Sequence, residues 1–200
     1  MKEIIISIKP EDILKIAGRQ KTIELRKTAP AESLVPFKAY IYASTSGTCR
    51  LYLDRSKDPL SKVCLTTNCG HRDEAAKNYS LEIVSGKVIG EFICDRLITV
   101  ACTTDDVIDY STNESIRDAL CLTRDEVAEY IGDRHVVKGW HISDLVIYDH
   151  PMEISNFRKE CWNSCWDGCE HYCGKDEDCK RPVLGRNPQN WMFVERIEER

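Results

Sequence analysis

Lys21, Glu24 and Arg26 place two cations and one carboxylate within six residues of each other. The planar guanidinium of Arg26 suits a phosphate or the edge of a base, and Glu24 could orient it by pairing. Lys21 supplies a point charge for phosphate. It could act as a base or nucleophile only if desolvation lowered its pKa, and the neighbouring carboxylate opposes that change. A purely structural ion pair between Glu24 and Arg26 is the alternative interpretation.

Local sequence signals predict the elements that position these side chains. The nearly continuous apolar run at residues 3–8 predicts a strand, and Pro10 suits the first turn of a following helix. Ile13, Leu14, Ile16 and Ala17 give that helix an apolar face, and Gly18 is expected to end it. Further strands are predicted at residues 22–25 and 38–43.

The orientation of Lys21 depends on where the second strand begins. Side chains alternate faces along a strand, so Glu24 and Arg26 share one face and a Lys21 within the strand would point the other way. If Lys21 lies in the preceding turn, all three side chains could converge on one cleft. The sequence leaves both arrangements open.

The remaining periodic segments predict a mixed architecture. Residues 44–86 lack periodicity and are interpreted as an insertion, whereas the capping box that begins at Thr123 and ends at Glu126 predicts a helix closed by Gly132. About six strands with interposed helices predict an α+β fold, a small and partly closed β-barrel flanked by helices. The other predicted elements are a strand at 87–96 followed by a helical region, a strand pair with a tight turn at 135–140 and 144–148, a short helix at 151–157 and a closing strand at 191–195.

Composition limits the class of protein. The 200 residues suit one domain (1–200) with an insertion at 44–86 and a cysteine-rich segment at 160–182, and 42% of them are hydrophobic. No apolar run approaches the roughly 20 residues of a membrane span, and no signal peptide is evident, so a cytoplasmic location is expected. The net charge is −5, but residues 1–50 carry +4 and residues 51–200 carry −9. A locally basic site on an acidic body is therefore compatible with the sequence.

The 11 cysteines fall into three groups. Cys94, Cys102 and Cys121 lie in apolar or mixed segments and are expected to be small core residues. The segment 44–86 holds a second group, Cys49, Cys64 and Cys69, and the stretch from Cys64 to His71 could supply further ligands or a second site. The densest group lies at residues 161–179.

Cys161, Cys165, Cys169 and Cys173 recur at every fourth residue. One unbroken helix would place the first and last roughly 18 Å apart, too far for a single ion with Zn–S bonds of about 2.3 Å. If the chain turns at 167–168, the four thiolates could hold one structural zinc ion that stabilises a polar loop. His171 and Cys179 are alternate ligands. Free or disulfide-forming thiols and an iron–sulfur cluster are the other interpretations.

Several segments resemble the ASCH group of the PUA-like superfamily, in its phage-associated form. The segment from Gly18 to Arg26 reads G-x-x-K-x-x-E-x-R and is similar to the signature segment of that group. The resemblance covers roughly residues 1–43 and 87–157 and the last strand. The other matching pieces are Ser7-Ile8-Lys9-Pro10, Val88-Ile89-Gly90-Glu91-Phe92, Trp140-His141-Ile142-Ser143-Asp144-Leu145 and Pro188-Gln189-Asn190-Trp191.

The resemblance implies a β-barrel flanked by helices, with a cleft beside Gly18–Arg26 that binds RNA or a modified nucleotide. One branch of the group hydrolyses N4-acetylcytidine with a lysine at the position of Lys21, a threonine at that of Glu24 and a downstream glutamate. This chain departs from that branch at Glu24, and Glu114, Glu126 and Glu129 are candidates for the downstream residue.

The sequence therefore predicts an RNA- or nucleotide-binding protein, with an amidohydrolase acting on an acylated nucleoside as the alternative. An interaction protein without a small ligand is the third hypothesis, favoured by the acidic residues 51–200. Lys21 is the candidate catalytic residue if the chain is an enzyme. Tyr40, Tyr42, Trp140 and His141 could offer stacking faces for bases, although aromatic residues in strands are more often packed. The predicted ligand-binding residues are Lys9, Lys21, Glu24, Arg26, Tyr42, Trp140 and His141.

Overall fold

The computed structural model of the chain describes residues 1–46, 49–54, 57, 62–67, 81–101, 114–134, 136–160 and 183–197. These residues form strands and three α-helices, together with 3₁₀ turns at Glu32–Leu34 and Ile154–Asn156. The helices are α1 (Pro10–Ala17), α2 (Glu114–Leu120) and α3 (Arg124–Ile131). The strands are β1 (Glu3–Ile8), β2 (Ile23–Arg26), β3 (Phe37–Ala43), β4 (Cys49–Asp54), β5 (Val63–Thr67), β6 (Leu81–Ile83), β7 (Val88–Cys94), β8 (Leu97–Ala101), β9 (Val136–His141), β10 (Ser143–Met152), β11 (Phe157–Lys159) and β12 (Trp191–Arg196).

Three sheets organise these strands. The largest has the order β10-β7-β3-β1-β12-β11, and within it β1 and β3 run parallel while the other neighbours are antiparallel. The two smaller sheets have the orders β2-β9-β8 and β5-β4-β6. The α+β class is confirmed. The prediction of about six strands in a partly closed barrel is wrong, because twelve strands in the described residues form three sheets that do not close on one another.

The segment interpreted as an insertion belongs to the main core. Strands β4, β5 and β6 lie within residues 44–86, and their sheet packs beside α1. Leu51, Leu53, Val63 and Val84 are buried in the same cluster as Ile4, Ile6 and Ile8 of β1. Removal of this segment would leave the β1 core open to water.

The strand pair predicted at 135–140 and 144–148 is also wrong as a pair. Both strands exist, but β9 lies between β2 and β8, so both of its hydrogen-bonding edges are occupied. Strand β10 pairs with β7 instead. Asp144 adopts φ 47° where the chain leaves one sheet for the other.

Two further local predictions, for the segments after β7 and after Pro151, need correction. The segment after β7 continues as strand β8, whose Val100 pairs with Val137 of β9, before the helices α2 and α3 begin. The short helix predicted at residues 151–157 is reduced to a 3₁₀ helix at Ile154–Asn156, because β10 extends through Met152. Pro151 is tolerated in β10 because an edge strand does not need every backbone donor.

The helix limits follow the predicted signals. Helix α1 begins at Pro10 and ends before Gly18, although the residue with positive φ is Arg19, at 56°. In α3, Thr123 and Glu126 form the predicted reciprocal capping box, and Gly132 ends the helix with φ 55°. Helices α2 and α3 cover the β2-β9-β8 sheet through an apolar cluster that includes Leu25 and Val127. The position of α3 brings Glu126 and Tyr130 beside β2.

Gly90 of β7 permits a close approach of β10. A Cβ at this position would lie 2.4 Å from the carbonyl oxygen of Val146, which is far closer than real contacts allow. Any side chain would therefore push the two strands apart. None of the described helices is both long and apolar enough to cross a membrane.

Candidate functional site

The side chains of Lys21, Glu24 and Arg26 converge beside β2. Lys21 precedes the strand, and its backbone N–H donates to the carbonyl of Lys15 in α1. The turn therefore directs the Lys21 side chain to the same side as Glu24, and Nζ lies 2.9 Å from Oε2 of Glu24. The arrangement with Lys21 in the preceding turn is the one that the structure adopts.

The three side chains form part of a continuous ionic chain. Lys21 Nζ also donates to Oδ1 of Asp12 at 2.7 Å, and Oε1 of Glu24 lies 2.8 Å from Nη2 of Arg26. Lys21 and Glu24 are only 3% and 4% exposed, so these charges are shielded from solvent. A buried charge needs a partner to remain ionised, and here each carboxylate has a cation beside it.

Arg26 links the ionic chain to two distant parts of the sequence. Its Nη2 donates to the carbonyl oxygen of Ser7 at 2.6 Å, and Nη1 donates to Oδ1 of Asn190 at 3.2 Å. Asn190 Nδ2 in turn donates to Oγ1 of Thr28 at 3.2 Å. The guanidinium is thus held in one orientation by β1, by β2 and by the residue before β12.

The protonation of Lys21 follows from its surroundings. Burial lowers the pKa of Lys21, but the charges of Glu24 and Asp12 and the hydrogen bonds to them raise it more, so the pKa lies above its usual value. Lys21 is therefore an ammonium at neutral pH. An ammonium stabilises negative charge, but it cannot accept a proton or attack a carbonyl.

A cavity of about 270 Å³ lies against this ionic chain. Three cations line it, namely Lys9, Lys21 and Arg26, and three carboxylates, namely Asp12, Glu24 and Glu126. Formal charge therefore cancels across the lining. The other lining residues are Ser7, Leu25, Ser44, Ser46, Leu122, Tyr130 and Gln189.

Lys9 and Tyr130 differ from the buried members of the lining. Lys9 is exposed at the N-cap of α1, and among the described residues its side chain has no hydrogen bond or ion pair. Tyr130 is half-buried on α3, with Lys27 Nζ 5.4 Å from its ring centroid. Burial raises the pKa of Tyr130, and Glu24 adds to this although Arg26 opposes it. The phenol is therefore neutral and offers a ring and a hydroxyl.

The other predicted ligand-binding residues lie elsewhere. Trp140 is 0% exposed and packs edge-to-face against Phe37 and Trp191, so its ring has no face open to a base. Tyr42 is buried on the other face of the main sheet, in a cluster with Ile5 and Val88. Neither residue lines the cavity, and the rings of Trp140 and Tyr42 fill the core, so neither is open to stack on a base as predicted.

His141 also lies outside the cavity lining. Its Nδ1 contacts Oδ1 of Asp95, in the turn between β7 and β8. Tyr40, another aromatic residue considered for stacking, is 1% exposed and donates a hydrogen bond to Glu3. Of the three candidate glutamates, Glu126 lines the cavity and Glu129 does not, while the side chain of Glu114 lies outside the described residues.

Sequence reasoning missed Asp12, Tyr130 and the anchoring role of Asn190. An acidic residue in the first turn of a helix has an ordinary explanation in the helix dipole, and this concealed the pairing of Asp12 with Lys21. Asn190 lies in a segment that carries the family resemblance, which was the one available signal. Nothing in the sequence placed Tyr130 near β2, because that proximity depends on how α3 packs.

The cysteines divide between described and undescribed regions. Cys94 is buried as predicted, whereas Cys121 is only half-buried and Cys102 lies outside the described residues. The predicted zinc ligands all lie outside the described residues, so zinc binding stays a prediction. These ligands are Cys161, Cys165, Cys169 and Cys173, with His171 and Cys179 as alternates.

Comparison with known proteins gives a similarity in fold. No family model matches the chain, and no curated protein matches it. Three solved structures from Zymomonas mobilis are similar. They are the crystal structure of ASCH (17% identity, 76% of this chain and 74% of that chain, TM-score 0.44) and those of a Tyr→Phe mutant protein (18%, 77% and 77%, 0.43) and a Ser→Ala mutant protein (17%, 76% and 74%, 0.43).

Proposed function

We propose that this chain binds a single unpaired nucleotide of RNA, with its base in the cavity beside Lys21, Glu24 and Arg26. The observation that carries the proposal is the buried ionic chain from Asp12 to Arg26, which forms one wall of that cavity. The resemblance to the ASCH group implies the same class of ligand, including modified nucleotides.

The size of the cavity supports a small ligand. Its volume of about 270 Å³ lies just below the range of roughly 300–1,000 Å³ that is usual for small-molecule sites. One base with part of its ribose is compatible with such a space, whereas a duplex is not. Proteins that read RNA sequence mostly bind unpaired bases in this way.

The fixed polar groups suit the edge of a base. A base edge presents both donors and acceptors, and the cavity offers carboxylate oxygens from Glu24 and Asp12 as well as the guanidinium of Arg26. These groups are held by one another, so little conformational entropy is lost when a ligand binds. The ring of Tyr130 supplies an aromatic surface of the kind on which bases stack.

The charges favour a neutral group inside the cavity and a phosphate outside it. The buried charges of the lining are already paired, which leaves the exposed Lys9 as the cation available to an anionic ligand. We therefore expect the base to enter the cavity while its phosphate lies near Lys9. This arrangement predicts a weak dependence of affinity on salt, since few phosphates are neutralised.

Hydrolysis of an acylated nucleoside is less well supported. That reaction needs Lys21 as a base or nucleophile, and Asp12 and Glu24 keep it protonated at neutral pH. Incubation of the chain with N4-acetylcytidine tests this alternative directly. Release of acetate by the wild type that disappears in Lys21→Met, under conditions where circular dichroism shows the variant to be folded, would establish the enzyme.

Fluorescence anisotropy of a labelled, mixed-sequence single-stranded RNA tests the binding proposal. Lys9→Ala removes an exposed cation without disturbing the ionic chain, and Lys57→Ala is the matched control because Lys57 is exposed and lies outside the cavity lining. Loss of one phosphate contact should weaken binding about fivefold at 0.1 M salt and reduce the salt slope by about 0.7. Lys57→Ala should bind like the wild type.

Two outcomes would overturn the proposal. One is the absence of RNA binding by the wild type at low salt. The other is an equal loss of affinity in Lys9→Ala and Lys57→Ala, which would indicate attraction to the general surface and not to this cavity.

A further inference from the structure

We infer that the RNA strand continues from this cavity across the wall formed by Leu122 and Glu126 into a second cavity, where Arg117 contacts the phosphate of the neighbouring nucleotide. This inference rests on the proposed function and extends it from one nucleotide to a strand path. The second cavity measures about 620 Å³ and shares Leu122 and Glu126 with the first. The two cavities therefore lie on either side of the chain segment that begins α3.

The second cavity has its own set of polar groups. Gln20 approaches from the turn after α1, Arg117 from α2, and Thr123 from the start of α3. Its lining also includes Asp118 and Cys121. Amide, guanidinium and hydroxyl groups are the side chains that most often contact the sugar–phosphate backbone of a nucleic acid.

Arg117 is the group that points to an anionic ligand. Among the described residues none forms a hydrogen bond or ion pair with its guanidinium, and its Nε is buried without an acceptor. A partly buried cation without a counter-ion is unfavourable, so an oxyanion in the cavity would be bound strongly. Arg26, in contrast, is already paired with Glu24.

The carboxylates of this cavity do not compensate Arg117. The carboxylate of Glu126 already accepts the hydrogen bonds of the capping box, from the backbone N–H and the hydroxyl of Thr123. Asp118 is exposed to solvent. Within the described part of the chain, Lys9 in the first cavity and Arg117 in the second have no ionic partner, and they mark the ends of the path proposed for two successive phosphates.

Competition with RNAs of increasing length tests the path. Unlabelled 5′-phosphorylated competitors of one, two, three and five nucleotides, of mixed sequence, displace the labelled RNA from the wild type and from Arg117→Gln. For the wild type we expect affinity to rise about fivefold or more between one and three nucleotides, because a second phosphate is neutralised. Arg117→Gln should lose that rise and bind the mononucleotide as the wild type does.

Two further variants separate charge from folding. Arg117→Lys retains a cation and should restore most of the rise, whereas Arg124→Gln removes an exposed arginine of α3 outside both linings and should change nothing. If Arg117→Gln fails to fold, Gln20→Ala in the exposed turn should still reduce the rise in affinity with the length of the RNA competitor.

The outcomes separate the two proposals. If the mononucleotide binds and longer competitors bind no better, the strand path is wrong while the single-nucleotide site remains. If no competitor binds, the proposed function itself fails.

Discussion

The ammonium of Lys21 lies 2.9 Å from Oε2 of Glu24, and the two side chains are 3% and 5% exposed. The carboxylate of Glu24 also holds Arg26, so one buried anion orients two cations. In this chain the glutamate between the two cations of the G-x-x-K-x-x-E-x-R segment is therefore a partner to both of them. A threonine at position 24 would leave both cations without this partner.

Lys21→Met should be strongly destabilising. The substitution keeps the length of the side chain but leaves Asp12 and Glu24 without their shared cation, and loss of one partner of a buried ion pair costs about 3–5 kcal/mol. Urea denaturation measures the free energy of unfolding. Lys57→Met is the control, since Lys57 is exposed and should change stability by less than about 0.5 kcal/mol. A loss as small as that of the control would show that the Lys21 pairs contribute little.

The stabilisation by the charge of Lys21 should be lost in alkali. Its pKa is raised in the folded chain, so the folded state holds this proton more tightly than the unfolded state does. The contribution is fully present below the unfolded value of 10.5 and is lost as the pH rises through the higher folded pKa. The difference in unfolding free energy between wild type and Lys21→Met should therefore be constant from pH 6 to 9 and decrease above about pH 10.5. A decrease near neutral pH would mean that Lys21 is deprotonated there.

Tyr130→Ala should weaken RNA binding while Tyr130→Phe should not. Loss of a base–aromatic stack costs about 1–3 kcal/mol, or roughly 5- to 150-fold in the dissociation constant measured by anisotropy. Phenylalanine keeps the ring that lines the cavity and removes only the hydroxyl. Equal binding by the alanine variant would exclude Tyr130 as a stacking residue. A loss in both variants would assign the effect to the hydroxyl.

Trp140→Ala should affect stability and not RNA recognition. Its ring is fully buried against Phe37 and Trp191, and removal of such a side chain costs about 3–5 kcal/mol. Val136→Ala on the same strand is the control, because Val136 is 44% exposed. At a temperature where Trp140→Ala remains folded, its affinity for RNA should equal that of the wild type. Selective loss of affinity in the folded variant would restore a binding role for this residue.

Zinc content should reveal the role of the cysteine-rich segment. We expect about one zinc ion per chain by elemental analysis after purification without chelator, and none in Cys165→Ser/Cys169→Ser. Cys94→Ala is the control, since Cys94 is buried in the core and is not a proposed ligand. Metal-free wild-type protein that keeps its thermal stability would contradict the prediction.

Local signals in the sequence predicted residues 1–43 of the fold well. Pro10, Gly18 and the apolar run of β1 act within a few residues of one another, and the capping box at Thr123 is equally local. The order of the strands depends on longer contacts. Strand β9 is placed between β2 and β8 by pairings that no short-range pattern encodes, so an apparent hairpin with β10 was predicted instead.

The candidate site shows the same difference between local signals, which the sequence reveals, and long-range contacts, which it does not. Lys21, Glu24 and Arg26 share one short segment, and their convergence could be anticipated once a turn before β2 was considered. Asp12, Tyr130 and Asn190 come from three other elements, and only the packed structure shows that they meet. Aromatic residue type alone was misleading: Trp140 and Tyr42 fill the core, as aromatic residues in strands usually do.

The hydrogen bond from Arg26 to Asn190 also bears on the order in which the site is assembled during synthesis. Strand β1 pairs with β12, so that Ile4 lies beside Phe193, almost at the other end of the sequence. A ribosome makes β1, α1 and β2 early. The pairing of β1 with β12 and the hydrogen bond from Arg26 to Asn190 can form only when residues 190–196 have emerged. Such distant pairings slow folding. The cleft proposed as the binding site is therefore complete only after residues 190–196 have joined β1 and Arg26.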